Sequence, residues 1–319
     1  MKMKKDKPKI SIVIPVKDEA DSLPILYEKI ARVLIGKLQD SEIIFVNDGS
    51  TDNSQTIIEK LHSQDSRIKV LELRRNFGQT AAMSAGFDIA QGKIIITMDA
   101  DLQNEPADIP NLLKKIDEGY DIVSGWRKKR KDKFITRRIP SIAANFIISK
   151  LTGVHLHDYG CTLKAYKKEA LNGIRLYGDM HRFIPVFSGI QGFKVAELPV
   201  SHNPRKFGKS NYGISRILKV IIDLITIRFF IKFLTKPMRF FGIIGIFFGA
   251  IGVIIGLYLT YLKSFLGLDI GGRPLLLLTI SMIIAGIQIT SLGIIGEIIS
   301  RIYFESQNKK TYTVKKIIK

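Results

Sequence analysis

Residues 41–61 read SEIIFVNDGSTDNSQTIIEKL, and this stretch contains the unit from which the first half of the chain is built. The β-branched and aromatic run at 42–46 predicts a buried strand, and the apolar spacing over 52–61 predicts a helix. The Asn, Asp, Gly and Ser residues between them predict a turn. A strand followed at once by a helix is typical of a parallel sheet.

The same unit recurs on both sides of this stretch. Further strands are predicted at 9–16, 68–73, 93–98 and 121–124, and further helices at 22–34, 80–90 and 106–116. This alternation predicts an α/β fold with a mostly parallel sheet. Ligands of such sheets bind beyond the carboxyl ends of the strands, so the residues just after each strand are the candidates for chemistry.

Composition excludes several classes of protein. The chain has 319 residues, of which 46% are hydrophobic, so it is neither disordered nor fibrous. Cys161 is the single cysteine, which excludes a disulfide scaffold, and no Cys or His residues have the spacing of a structural zinc site.

The net positive charge of the chain comes from its second half. Residues 1–126 hold 17 basic and 20 acidic side chains, whereas residues 127–319 hold 32 basic and 9 acidic ones. The second half therefore favours an anionic partner, either a lipid surface or nucleic acid. The dense segment WRKKRKDKFITRR at 126–138 precedes a predicted helix at 140–151.

Two apolar runs in the second half are long enough to cross a bilayer. They cover 240–262 and 275–299, at 23 and 25 residues, and predict two transmembrane helices. The mixed run at 211–234 predicts helices in the headgroup plane. Cations are sparse at 263–274 and frequent on either side, which puts both chain ends in the cytoplasm. The apolar run that follows the basic start is too short for a signal peptide.

Acidic and turn residues follow three of the predicted strands, in the segments 15–19, 47–52 and 99–103. Taken singly, each has a simple structural explanation as a turn or a helix cap. Together they predict a site at one edge of the sheet. Gly78 is predicted to allow a close backbone approach, and Phe77 and Met98 are predicted to lie in the core.

Asp99 and Asp101 have the spacing of a metal site. Carboxylates at i and i+2 beyond a strand can both face one Mg²⁺ or Mn²⁺ ion, whose shell is completed by water and substrate phosphates. The predicted substrate is therefore a diphosphate. Asp48 and Glu19 suit a base and a ribose, because carboxylates accept hydrogen bonds from N–H and O–H groups and repel phosphate.

In order and spacing, these motifs resemble glycosyltransferase family 2, which has the GT-A fold. The stretches that carry the resemblance are IVIPVKDE, FVNDGSTDNS, LRRNFGQTAAMSAGFDIAQG, ITMDADLQNEP, SGWR and HDYGCTLKAY. More narrowly, they resemble its polyprenyl-phosphate glycosyltransferases, which are related to dolichol-phosphate mannose synthases. The resemblance covers essentially the whole chain, including the two transmembrane helices. It implies a membrane enzyme that uses Mg²⁺ or Mn²⁺ and assembles as a homo-oligomer, a tetramer.

The resemblance also implies roles for individual residues. The nucleotide-sugar site comprises Pro15, Glu19, Asp48, Asn76 and Asp99. The metal site comprises Asp99, Asp101 and Gln103, and the catalytic residues are Asp101, Arg127 and Asp158. The acceptor phosphate is contacted by Arg137, Ser141, Arg205 and Lys209, with Arg138 as the competing alignment for Arg137.

The predicted domains are a GT-A domain at 1–210, interfacial helices at 211–236, a transmembrane hairpin at 237–300 and a basic cytoplasmic tail at 301–319. The predicted reaction is the inverting transfer of a hexose from a nucleotide diphosphate sugar to polyprenyl (undecaprenyl) phosphate at the inner or plasma membrane. UDP-glucose is the favoured donor and GDP-mannose the alternative. A lipid phosphate is already largely ionised near neutral pH, because its second pKa is about 6, so no strong general base is needed.

Two rival functions remain. A processive family 2 polymerase usually carries a Q-x-x-R-W segment and more membrane helices, and this sequence has neither. A non-catalytic membrane-bound protein that binds lipid or nucleic acid would fit the cationic half, but it leaves the acidic strand ends unexplained. We therefore predict no nucleic-acid partner.

Overall fold

The computed structural model describes residues 8–37, 40–128, 145, 149–150, 152–174, 176, 180–204 and 236–306. The chain divides into two units, Met1–Val220 and Ile221–Lys319. The first unit contains a β-sheet with helices on both faces, and the second contains two long apolar helices.

Seven strands form one sheet within the described part of the first unit. They are β1 (Ile10–Val16), β2 (Ser41–Asn47), β3 (Ile68–Glu72), β4 (Ile94–Thr97), β5 (Ile122–Trp126), β6 (Lys164–Lys167) and β7 (Val195–Pro199). Their order is β3-β2-β1-β4-β6-β5-β7. Only β6 runs antiparallel to its neighbours β4 and β5, so the prediction of a mostly parallel α/β sheet is confirmed.

Helices of the described first unit cover both faces of this sheet. They are α1 (Leu23–Lys37), α2 (Ser54–Gln64), α3 (Gln79–Ile89), α4 (Ile109–Asp117) and α5 (Ile184–Ile190). Short 3₁₀ turns include one at Pro106–Asp108, which leads into α4, and one at Met180–Phe183, which leads into α5. The five predicted strands and four predicted helices of the first half are present, with ends that differ by three residues at most.

The core explains why the central strands are apolar on both faces. Ile12 and Ile14 of β1 pack with Leu26 of α1 on one side of the sheet. Val13 points the other way and packs with Ala82 of α3. A strand buried on both faces appears in sequence as a continuous apolar run, which is why 9–16 was predictable. Met98 is buried, as predicted.

In the second unit, α6 (Pro237–Leu266) and α7 (Pro274–Ser306) form a closely packed pair, and both are long and apolar enough to cross a membrane. Glycines lie where the helices meet: a Cβ on Gly245 would lie 2.7 Å from the Gly286 carbonyl oxygen, and one on Gly252 would lie 2.7 Å from the Ile283 side chain. At these positions, the small residues therefore allow α6 and α7 of the same chain to pack closely.

Several predicted segments lie outside the described residues. They are the interfacial stretch at 211–234, most of the helix at 140–151, and the tail beyond 306. The domain boundaries stay a prediction.

Candidate functional site

The residues predicted to carry chemistry follow β1, β2 and β4, which are neighbours in the sheet. β1 lies between the other two and is parallel to both, so the three carboxyl ends face the same edge. Pro15 pairs with Val46 of β2 beyond the last residue of β1 that pairs with β4. The N–H that proline lacks is therefore not needed for the ladder with β4.

The loops after β1 and β2 are fastened to each other by hydrogen bonds. Asp18 has a φ of 55°, and its Oδ1 accepts a hydrogen bond from the Thr51 backbone N–H at 2.6 Å. The Glu19 backbone N–H donates to Ser54 Oγ at 2.9 Å, and Glu19 Oε2 accepts from the Ser22 hydroxyl at 2.9 Å. Glu19 is thus held at the sheet edge, beside the start of α2.

Asp48 fastens the loop after β3. It is 3% exposed, and its two oxygens accept hydrogen bonds from the backbone N–H groups of Phe77 (2.7 Å) and Gly78 (2.9 Å). The close approach occurs at Gly49, where a Cβ would lie 2.5 Å from the Arg75 carbonyl carbon. Gly78 has a φ of 94° before α3, a conformation that favours glycine, and the space around its Cα is open, so the predicted close approach at Gly78 stays a prediction.

Two other residues of this loop are exposed. Phe77 is 51% exposed, so the prediction that it lies in the core was wrong. Its ring is covered instead by the Arg75 guanidinium, whose carbon lies 4.3 Å from the ring centroid. Asn76, which the sequence assigned to the nucleotide-sugar site, is exposed between them. The physical reason is that the bonds to Asp48 draw the backbone inwards while the side chains face solvent.

The Asp99–Gln103 turn brings two carboxylates together. Asp99 Oδ1 accepts from the Gln79 side-chain amide and Oδ2 accepts from the Thr162 hydroxyl, both at 2.7 Å. Asp101 Oδ1 accepts from the Gln103 backbone N–H at 3.1 Å. The turn depends on Leu102, which is buried with a φ of 62°, a conformation that costs a non-glycine residue about 1–2 kcal/mol.

Charge is crowded at this turn. Burial and the neighbouring Asp101 carboxylate raise the pKa of Asp99 to about 6, from an ordinary value of 3.8. A divalent cation would relieve both effects, so the residues fit Mg²⁺ or Mn²⁺ bound mainly through substrate and water. No cluster of three or more His, Cys, Asp or Glu side chains with metal-site geometry is present in the described ranges.

Arg127 and Asp158 form an ion pair with two hydrogen bonds. Arg127 Nε lies 2.7 Å from Asp158 Oδ2, and Nη2 lies 2.9 Å from Oδ1. Oδ1 also accepts from the Gly160 backbone N–H at 3.1 Å. The guanidinium attracts charge at Asp99 and moderates the rise in its pKa, so this pair belongs to the same site as the Asp99 turn. Two of the three residues predicted to act in catalysis are thus partners.

Lys164 was missed by the sequence reasoning. It opens β6 opposite Thr97 of β4, its side chain is 2% exposed, and its Nζ donates to the Tyr159 carbonyl oxygen at 3.1 Å. Burial lowers the pKa of Lys164 to about 8. No sequence signal pointed to it, because β6 itself was not predicted. Gln79 and Thr162 gave none, because their contacts with Asp99 join distant parts of the chain.

The residues predicted to contact the acceptor phosphate lie outside the described ranges. They are Arg137, Ser141, Arg205 and Lys209. The structure therefore brings together the residues predicted for the donor and the metal, and the acceptor side stays a prediction.

Known proteins are similar to this chain in sequence and in fold. Residues 11–175 match the model of glycosyl transferase family 2. Over 97% of its length, the chain is 41% identical to dodecaprenyl-phosphate galacturonate synthase of Rhizobium johnstonii, covering 92% of that protein. Over the same share, it is 37% identical to undecaprenyl-phosphate 4-deoxy-4-formamido-L-arabinose transferase of Shewanella sediminis, again covering 92% of the relative.

Among solved structures, the chain resembles glucosyl-3-phosphoglycerate synthase from Mycobacterium tuberculosis. A complex of that enzyme with Mn²⁺, UDP and phosphoglyceric acid superposes with a TM-score of 0.54 at 16% identity, covering 69% of this chain and 78% of that one. A complex with Mg²⁺ and UDP gives 0.52 at 17% identity, covering 69% and 79%. At this identity, the likeness shows the fold alone. The sequence matches show the family: this chain belongs to glycosyl transferase family 2 and is a glycosyltransferase.

Proposed function

We propose that this glycosyltransferase moves a sugar from a nucleotide diphosphate sugar to a polyprenyl phosphate, giving a polyprenyl-phosphate sugar with inversion at the anomeric carbon. The observation that carries the proposal is the placement of the Asp99 and Asp101 carboxylates in one site with Arg127. The names of both relatives, which span nearly the whole chain, support a polyprenyl phosphate as the acceptor.

On the donor side, we assign Asp99, Asp101 and Gln103 to a divalent cation, in agreement with the Mn²⁺ and Mg²⁺ bound by the structural neighbour. When bound, the cation neutralises charge on the leaving diphosphate. Arg127 adds a planar cation whose orientation is fixed by Asp158. Glu19, Asp48 and Asn76 lie on loops at the same edge, where we place the nucleoside.

On the acceptor side, the nucleophile is the lipid phosphate itself. Its oxygen attacks the anomeric carbon while the bond to the diphosphate breaks, and no proton has to be removed at that step. Asp158 accepts four hydrogen bonds from Arg127 and Gly160, which suits a positioning role better than that of a base. By resemblance, we assign the phosphate contacts to Arg137, Ser141, Arg205 and Lys209.

UDP-glucose remains our favoured donor, with GDP-mannose as the alternative. The relatives' names widen the choice, because one specifies a uronic acid, galacturonate, and the other a modified pentose, 4-deoxy-4-formamido-L-arabinose. A donor panel must therefore include a sugar with a carboxylate.

We place the enzyme in the inner or plasma membrane with its active site on the cytoplasmic side. Helices α6 and α7 are both long enough to span the bilayer, and the excess of cations outside the 263–274 linker indicates the orientation. A homo-oligomer is proposed on the family resemblance.

The decisive experiment uses membranes that contain the full chain and undecaprenyl phosphate. Each of UDP-glucose, UDP-galacturonate and GDP-mannose, labelled in the sugar, is supplied with Mg²⁺ or Mn²⁺, and the labelled lipid is identified. We expect one donor to label the lipid, and both excess EDTA and Asp101→Ala to abolish the label. The matched control is Asp88→Ala, which removes an exposed carboxylate on α3.

Absence of labelled lipid with these three donors and with a 4-deoxy-4-formamido-L-arabinose donor would overturn the proposal. Full turnover in EDTA would overturn the metal assignment. A titration of nucleic-acid binding against salt tests the non-catalytic rival, since a nucleic-acid protein would show tight binding that weakens steeply with salt.

The acceptor assignment has its own test. Arg137→Ala is expected to raise the KM for the lipid phosphate about tenfold to a hundredfold, with little change in the KM for the donor, because a charge-assisted contact is lost. Arg138→Ala is the control, and a defect found in that variant alone would shift the alignment by one residue.

A further inference from the structure

Glu197 of β7 accepts an unusual number of hydrogen bonds from one short segment. Its oxygens accept from the backbone N–H of His157 at 2.9 and 3.0 Å, from the backbone N–H of Asp158 at 2.9 Å, and from His157 Nδ1 at 2.8 Å. Its side chain is 10% exposed. A carboxylate is suited to this position because it only accepts hydrogen bonds, and donors converge on it from three directions.

The segment that Glu197 holds is the one that orients Arg127. The Asp158 backbone N–H binds Glu197, while the Asp158 carboxylate binds Arg127 Nε and Nη2. Such a two-bond pair is directional, because the planar guanidinium must align with the carboxylate. A displacement of the Asp158 backbone therefore turns the guanidinium.

Ring packing and strand pairing also connect the 157–158 segment with the end of β5 and with β7. The Trp126 ring stacks on His157 with centroids 4.4 Å apart and an interplanar angle of 19°. Trp126 precedes Arg127 at the end of β5, and β5 pairs in parallel with β7, where Ser124 lies opposite Glu197. Glu197 thus stands on a rigid strand next to the one that carries Arg127.

We propose that Glu197 is a positioning residue of the donor site, which fixes the backbone at 157–158 and thereby sets the direction of the Arg127 guanidinium towards the donor diphosphate. The inference rests on the proposed function for the role of Arg127. It adds a residue from outside the quoted family motifs, 70 positions after the arginine it acts upon.

A double-mutant cycle separates this role from simple stabilisation of the fold. Glu197→Gln keeps the size of the side chain but places an NH₂ group among the donors. In the otherwise unchanged enzyme, we expect kcat/KM for the donor sugar to fall about tenfold to a hundredfold, as for outer-shell partners of catalytic groups. The lysine in the Arg127→Lys variant cannot form the forked pair. In that background, Glu197→Gln should lower kcat/KM for the donor sugar less than about threefold.

Two controls test whether the effect of Glu197→Gln is specific to the donor site. The KM for the lipid phosphate should change little in Glu197→Gln, and Glu28→Gln, an exposed glutamate on α1, should leave all constants unchanged. Equal fold losses in the two Arg127 backgrounds would overturn the proposal, and so would a defect confined to the acceptor KM.

Thermal unfolding of the same four full-length proteins supplies a measurement that needs no turnover. If Glu197 acts on Arg127 through Asp158, the two shifts in Tm are not additive, whereas additive shifts contradict the coupling. Lack of transfer by the unchanged enzyme with every donor would count against the proposed function, and the unfolding cycle would still decide whether Glu197 and Arg127 are coupled.

Discussion

Two groups of loop carboxylates in this protein differ in the groups that they bind. In the first group, after β1 and β2, the oxygens of Asp18, Asp48 and Asp52 accept mainly from backbone N–H groups. In the second group, Asp99 and Asp158 accept mainly from the side chains of other residues.

The pKa values follow this difference. Burial opposes ionisation of Asp18, but the Thr51 N–H and the Lys17 ammonium outweigh it and hold the pKa of that carboxyl below its usual value. At Asp99, burial and the Asp101 charge prevail, and the pKa rises to about 6. The Asp18 carboxylate is thus stabilised by the protein and holds two loops together, whereas Asp99 lies beside a second carboxylate, where an added cation can neutralise the charge.

The sharpest test of this comparison removes the Asp101 carboxylate, whose charge contributes to the raised pKa of Asp99 in the second group. Asp101→Asn is expected to lower kcat about a thousandfold, since the charge that holds the cation at the leaving diphosphate is lost. Its Tm should change little, because within the described residues the Gln103 N–H is the one hydrogen-bond donor to the carboxylate. Kinetics and unfolding are measured on the same full-length preparation. If Asp18→Asn loses as much activity, the two groups are not distinct in function.

The reciprocal test removes a carboxylate from the first group. Asp48→Ala leaves the N–H groups of Phe77 and Gly78 without their acceptor, and we expect a loss of about 2 to 3 kcal/mol in the free energy of unfolding. Denaturant unfolding of the detergent-solubilised chain measures it, with Asp88→Ala as control. An unchanged free energy of unfolding together with lost nucleotide binding would show that Asp48 contacts the nucleotide rather than stabilising the loop after β3.

The raised pKa of Asp99 predicts a pH dependence in the metal-free protein. A carboxyl whose pKa is higher when folded favours the folded state below about pH 4, and this contribution is lost as the pH rises through about 6. Asp99→Asn cannot ionise, so in EDTA it should be more stable than the unchanged chain by up to about 3 kcal/mol at pH 7.5, and no more stable at pH 4. The Tm is followed across that range, and a gain independent of pH would rule out this cause.

The smallest expected effect concerns Phe77. An exposed ring covered by one guanidinium contributes about 0.5 to 1 kcal/mol, so Phe77→Ala should reduce the free energy of unfolding by no more than that. Met98→Ala serves as the contrast, because truncation of a buried methionine costs about 2 to 5 kcal/mol. If Phe77→Ala lowers the free energy of unfolding as much as Met98→Ala does, Phe77 is a core residue after all.

Much of the fold was predictable because its signals are local. β1 to β5 are runs of β-branched residues that alternate with helical spacing, and such patterns need no knowledge of distant contacts. β6 and β7 were not predicted, since KAYK and VAELP are short and mixed in polarity, and they become strands only by pairing with β4 and β5.

The site was predictable in its residue types and less so in its partners. Asp99, Asp101 and Arg127 are marked by motif, but the bond from Thr162 to Asp99 spans 63 positions and that from Arg127 to Asp158 spans 31. Contacts of this kind arise from topology. The left-handed backbone of Leu102 had no signal either, because its burial favours leucine where the conformation alone would favour glycine.

The buried Lys164 also gives the site a chemical reporter. An amine with a pKa of about 8 is roughly one-tenth neutral at pH 7, whereas an ordinary lysine is neutral in fewer than about one molecule in a thousand. Acylation of Lys164 by a small reagent is therefore governed by access rather than by deprotonation, since the side chain is 2% exposed. The rate of labelling at this one position would measure how often the buried start of β6 opens to solvent.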